Sequence, residues 1–171
     1  MVVSKELASR FIEQFKNFLL FVYERHIEKS NEHDLLEKLV LARNYYVENK
    51  SILDAYVKTT NNELDIEMIE SIKTLRTGTW VYLRDTTKYS IFVNPDIPQS
   101  FAVLGLTDRI RSIFGTSGIV MKAGIVNIGK VYVCDGLISD LVQLGKNYKT
   151  EFNEIHKQNK ENGTFFKQCN A

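Results

Sequence analysis

The sequence predicts an α+β fold, a helical N-terminal bundle packed on a small, mostly antiparallel sheet of about five strands and closed by a long C-terminal helix. Three observations predict it. Apolar residues recur every three or four positions through the first 78 residues, the texture becomes aromatic and β-branched from Thr79, and three-and-four spacing returns after Gly136. These changes divide the chain into a helical region (1–78), a small β region (79–135) and a C-terminal helix with its tail (136–171), expected to fold as one cooperative unit.

Ser4 is suited to cap a first helix over 5–29, because Leu7, Phe11, Phe15, Phe18 and Val22 fall on one stripe. Leu20, Phe21 and Tyr23 widen that stripe beyond a single face. After the polar break Lys29-Ser30-Asn31, the residues Leu35, Leu36, Leu39, Val40 and Val47 predict a second helix over 32–49, with Asn31 as cap and Asp34 in its first turn. Ser51 with Asp54 has the form of a capping box for a short third helix. Asn62 then precedes Leu64, Ile66, Ile69, Ile72 and Leu75, a fourth helix that Lys73, Arg76 and Gly78 bring to a stop.

Thr79–Leu83 and Tyr89–Val93 flank the polar Asp85-Thr86-Thr87-Lys88 and predict a hairpin. Both prolines lie in Asn94-Pro95-Asp96-Ile97-Pro98, which must be an irregular loop, since proline removes a backbone donor and restricts its neighbour. Phe101–Leu104 makes a third strand. Thr107-Asp108 is placed to cap one helical turn over Arg109–Phe114, and Ile119–Val126 with Lys130–Cys134 predicts a second hairpin about Gly129. Ile138, Leu141, Gly145, Tyr148, Phe152 and Ile155 then mark the seam of a helix over 138–160, and the tail beyond Gly163 is expected to fray.

Composition narrows the function. A formal charge of +1 carries no demand for nucleic acid, and the longest apolar run, Phe18–Tyr23, is far short of the roughly 20 residues a spanning helix needs. Charge precedes any apolar run at the N-terminus, the reverse of a signal peptide, and Cys134 and Cys169 form neither a disulfide framework nor a zinc motif. A cytoplasmic protein without cofactor, metal or membrane contact is expected.

Four constellations are candidates for function. Gly115-Thr116-Ser117-Gly118 beside Arg109 and Arg111 offers backbone amides, hydroxyls and guanidinium groups to an anion, although the lysine-bearing pattern of a nucleotide-binding loop is missing and such loops also serve as plain connectors. Asp135, at the end of a strand, could join Asp96 and Asp108 as metal ligands or acid/base groups, or serve only as turn chemistry with Gly136. Trp80, Tyr82 and Arg84 alternate onto one face and could stack on bases, unless that is the core face. The broad apolar stripe of the first helix and the seam of the last suggest self-association, or else enclosure by neighbouring elements.

Three function classes follow. The first is a non-catalytic interaction or regulatory protein that binds a protein partner or itself as a homodimer. The second is a nucleic-acid-binding protein using the hairpin aromatics with Arg109 and Arg111. The third is a metal-dependent enzyme acting on a phosphate-containing substrate.

Overall fold

The computed structural model describes residues 1–27, 33–59 and 65–168. Four helices precede the first strand: α1 (Lys5–His26), α2 (Leu35–Glu48), α3 (Ile52–Thr59) and α4 (Ile66–Lys73). The Ser4 hydroxyl accepts from the Leu7 amide and starts α1, whose Phe11, Phe15, Phe18, Leu19, Val22 and Tyr23 are all buried. The breadth of that stripe has a simple cause. α1 is enclosed by α2, α3 and α4, with Phe18 edge-on to Tyr46 and Phe21 against Tyr56. Of the two accounts given for that breadth, enclosure by neighbouring elements is the one this packing matches.

The caps of α2 and α4 are aspartates further along the chain than expected. Asp34 and Glu37 form a capping box on α2, and the Asp65 carboxylate accepts from the Met68 amide at the start of α4. The expected caps Asn31 and Asn62 lie outside the described residues. α4 also stops sooner, at Lys73, where the Thr74 hydroxyl donates to the Ser71 carbonyl. Arg76, Thr77 and Gly78 are already strand, because cross-strand pairing with Ile125, Gly124 and Ala123 outweighs their reading as a helix stop.

The second half carries β1 (Arg76–Asp85), β2 (Ser90–Val93), β3 (Ser100–Leu104), α5 (Ile110–Phe114), β4 (Ile119–Ile128), β5 (Val131–Cys134), β6 (Ser139–Gln143), α6 (Lys146–Glu161) and β7 (Phe165–Phe166). The hairpins, the proline loop and the helical turn stand where the sequence predicts them. The expected helix over 138–160 does not begin there: Ser139–Gln143 is a strand. Beyond the reach of β5, the first half of β4 has an open edge, and β6 fills it by antiparallel pairing. Phe165 and Phe166, expected to fray, pair parallel with Ser100 and Phe101.

Pairing runs β1-β2-β3-β5-β4, and β4 pairs again with β1, so five strands close into a ring. All adjacent pairs are antiparallel except β3 with β5. Closure makes one sheet face an interior, filled by Trp80, Tyr82, Phe92, Phe101, Val103, Met121, Ile125 and Tyr132. Trp80 meets Phe101 edge-on at 5.5 Å although their strands are not neighbours, a contact across the barrel. Ile110 and Phe114 of α5 and Phe166 of β7 also pack on this interior.

The outer wall is shared. α6 covers Val81, Leu83, Ile91 and Val93 with Phe152 and Ile155, while the N-terminal helices cover Val126, Ile128 and Val133. Bundle and barrel are joined by a buried ion pair: Arg43 Nη1 of α2 lies 3.1 Å from Asp135 Oδ2.

Candidate functional site

The three carboxylates proposed to converge do not do so. Asp96 lies in the exposed loop before β3, whereas Asp108 follows the other end of that strand. Asp135 is buried and fully engaged: Oδ2 accepts from Arg43, and Oδ1 accepts from the amides of Gly124 and Leu137 at 3.1 and 3.0 Å. Burial raises this carboxyl above its ordinary value, against the pull of Arg43 and the two amides. A carboxylate so enclosed joins structure to structure, with little left to offer a metal. Among the described residues, no group of three or more His, Cys, Asp or Glu could hold a metal ion.

The glycine loop is likewise occupied from within. The Gly115 amide donates to Arg111 O, and the Gly118 amide to Tyr82 O. Ser117 is buried, its hydroxyl bonded to Lys149 Nζ at 2.7 Å and its carbonyl accepting from Gln143 Nε2. Thr116 is half-buried. Arg111 stands beside the Tyr82 hydroxyl, while Arg109 stands near the amino group of Met1. Both glycine amides and the hydroxyl and carbonyl of Ser117 are thus engaged within the chain. The Thr107-Asp108 cap is also absent: Arg109 precedes α5 without a side-chain cap bond, and Thr107 donates to Asp108 instead.

Strict alternation put Trp80, Tyr82 and Arg84 on one face, and a bulge at Leu83 breaks it. Tyr82 pairs with Phe92 but Arg84 with Ile91, so Arg84 emerges outside against Asn153 of α6. Asp85 turns to the inner side, where it accepts from Tyr82 Oη at 2.9 Å and Ser90 Oγ at 2.7 Å. Trp80 and Tyr82 are buried within the barrel, with Trp80 Nε1 donating to Ala123 O. Neither ring presents a surface on which a base could stack. Cys134 is buried too, and burial, with the Asp135 charge second, pushes its thiol up to about 12, far from a reactive thiolate.

The open surface lies elsewhere. β3 and β5 run parallel, and the segments that follow them, 105–108 and 135–138, bound a cavity of about 290 Å³ that Ile12 of α1 and Ile110 and Ile113 of α5 complete. Gly105 permits the tight turn, since a Cβ there would strike the Asp108 carbonyl. A second hollow of about 320 Å³ lies between α2 and the start of β6, lined by His33, Leu36, Glu37, Val40, Leu41, Ile138 and Ser139. Ile138 lines both, so the two apolar hollows adjoin at this side chain.

Their large side chains are left in water: Leu36 is 50% exposed, Ile113 51%, Leu41 38% and Ile12 39%. The sequence held a signal for the second hollow in the crowding of Leu35, Leu36, Leu39, Val40 and Leu41, more than one helix face can bury. Ile12 and Ile113 carry no such local signal.

Comparison with known protein families, with curated proteins and with solved structures finds no match. On the outer side of β2 and β3, α6 covers the sheet, with Phe152 and Ile155 against Ile91 and Val93 and Asn159 Nδ2 donating to Ser100 Oγ at 2.8 Å. No helix among the described residues is long and apolar enough to cross a membrane.

Proposed function

We propose that this chain is a non-catalytic interaction or regulatory protein of the cytoplasm that receives an apolar segment of a partner chain in the groove about Ile138. The observation that carries this reading is the sharing of Ile138 by two apolar hollows whose rims leave Ile12, Leu36, Leu41 and Ile113 in water. Aliphatic side chains held open around a concavity lose free energy to water until a partner covers them, at roughly 25 cal/mol per Å² buried.

The other two classes draw less support. Trp80 and Tyr82 are inside the barrel, and Asp96, Asp108 and Asp135 stand apart or are already paired. With most of the α1 stripe packed on its neighbours, the exposed leucines of α2 support a homodimer better than α1 does.

Selection from a displayed peptide library tests the reading, with counter-selection on the Leu36→Asp and Ile113→Asp variants. Peptides that bind the parent chain and lose both variants are expected. A library that yields none, while light scattering shows a strict monomer at high micromolar concentration, would overturn it. A dimer that dissociates in Leu36→Asp would make the partner a second copy.

A further inference from the structure

We propose that the hollow between the β1–β2 turn and β7 binds a phosphate-bearing ligand that carries a flat ring, a nucleotide either free or at the end of a nucleic-acid strand. The hollow, of about 610 Å³, is lined by Lys88 and Tyr89 of the turn and by Phe165, Phe166, Lys167 and Gln168 of the tail. It shares no lining residue with the two hollows that meet at Ile138, so it goes beyond the interaction reading and does not depend on it.

Backbone contacts build this site from two distant segments. After α6 the chain reverses at Gly163, whose left-handed φ of 73° suits glycine. The Thr164 amide donates to Asn159 O, and Thr164 O accepts from the Ser100 amide, which lays β7 along β3. On its other side β3 pairs with β2, and the turn before β2 supplies Lys88 and Tyr89. Thr86 Oγ1 holds that turn by accepting from both their amides, and the Tyr89 ring reaches Phe165 at 5.9 Å.

The cations of this region are gathered without acids. Lys160 and Lys167 both place Nζ over the Phe165 ring, at 5.9 and 5.6 Å, and Lys88 lines the same hollow as Lys167. None of the three has an ion pair, whereas Lys73, Lys122 and Lys157 each meet a carboxylate. Asp85 and Glu161, the acids nearest in the chain, are not among the lining residues, and Asp85 is engaged by Tyr82 and Ser90. The helix dipole accounts for Lys160, in the last turn of α6, but for neither Lys88 nor Lys167. Ammonium groups so gathered repel one another until an anion neutralises them, and a phosphate answers more than one lysine at once.

The walls between these charges are aromatic. Tyr89, Phe165 and Phe166 are half-buried, while Lys88, Lys167 and Gln168 are exposed. A flat ring packs on such walls as its phosphate meets the lysines, the combination that nucleic-acid sites use for base and backbone.

The test titrates the full chain into fluorescently labelled adenosine diphosphate, read by anisotropy, with unlabelled adenosine diphosphate, pyrophosphate, adenosine and a short single-stranded oligonucleotide as competitors. Saturable binding that salt weakens is expected, with pyrophosphate and adenosine each competing at least about tenfold more weakly than adenosine diphosphate. Lys88→Gln and Lys167→Gln each reduce affinity about threefold, and together about tenfold. Lys58→Gln, an exposed lysine of α3, leaves it unchanged. An oligonucleotide that competes better than adenosine diphosphate assigns the ligand to a strand end, and one that competes worse assigns it to the free nucleotide.

Absence of saturable binding, or binding that the Lys88→Gln, Lys167→Gln double variant leaves unchanged, would overturn the site. Pyrophosphate competing as well as adenosine diphosphate would overturn the ligand with a flat ring. Neither result bears on the hollows at Ile138, which Leu36→Asp and Ile113→Asp test separately.

Discussion

Arg43 of α2 and Asp135 at the end of β5 meet at 3.1 Å with both side chains buried, 92 residues apart in the chain. Arg43 Nη1 also donates to the Leu137 carbonyl, and its Nε and Nη2 reach Asn44 Oδ1 at 3.2 Å. The pair fixes the helical bundle against the barrel at the segment that floors the first hollow.

Breaking this pair leaves an unpaired buried charge, so Arg43→Ala or Asp135→Ala should each destabilise the chain by about 3–5 kcal/mol. Removing both side chains in the Arg43→Ala, Asp135→Ala double variant should cost clearly less than the sum of the two single losses. Urea denaturation of the four proteins measures this coupling. Additive losses would show that the two groups act independently.

Gly124 should tolerate no side chain. A Cβ there would collide with the Asp135 carboxylate and a Leu75 methyl, groups held in place by Arg43 and by the core. Gly124→Ala is expected to cost about 1–3 kcal/mol, the range for overpacking a filled interior. Gly129→Ala provides the contrast: nothing crowds its Cβ, so only its left-handed φ opposes the change. A loss at Gly124 no larger than at Gly129 in thermal denaturation would contradict the packing described.

His156 should make stability depend on pH. It is 1% exposed, its ring stands edge-on to Phe165 at 4.8 Å, and neither ring nitrogen has a protein partner. Burial, then Lys160 and Arg84, lower its pKa to about 4. The unfolded chain, with an ordinary histidine near 6.5, binds the proton first as pH falls. Stability is thus full above about pH 6.5 and declines towards pH 4, by no more than about 3 kcal/mol. His156→Leu should flatten that slope in denaturation series at each pH. An unchanged slope assigns the dependence to other groups.

Trp80 is the single tryptophan, and its burial can be read directly. Its emission should be blue-shifted and poorly quenched by acrylamide, and added single-stranded oligonucleotide should leave it unchanged. Trp80→Ala should cost about 3–5 kcal/mol through the cavity it leaves. Red-shifted, readily quenched emission would place the ring in water and reopen base stacking.

The α+β class and the order of elements were legible because they rest on local chemistry: apolar spacing, prolines, turn glycines and β-branched runs act within a few residues. Ser4 capping α1 and Gly129 turning the β4–β5 hairpin are such cases. Where the local signal was ambiguous, long-range pairing won. Ser139–Gln143 sits on a helical seam and becomes a strand because β4 offers it an open edge.

The candidate site divides in the same way. Sequence alone determined that Asp108 and Asp135 lie in connections, that Arg111 belongs to a short helical turn and that the first helix carries a broad apolar stripe. Tertiary structure alone decided that closure of the sheet takes Trp80 and Tyr82 inside, that the Leu83 bulge sends Arg84 outward, that Asp135 is answered by Arg43, and that Ile138 borders both the hollow of Ile12 and Ile113 and that of Leu36. The physical reason is reach. Periodicity and capping act across a turn or two of chain, whereas barrel closure and buried charge pairing join residues whose separation leaves no mark in the local pattern.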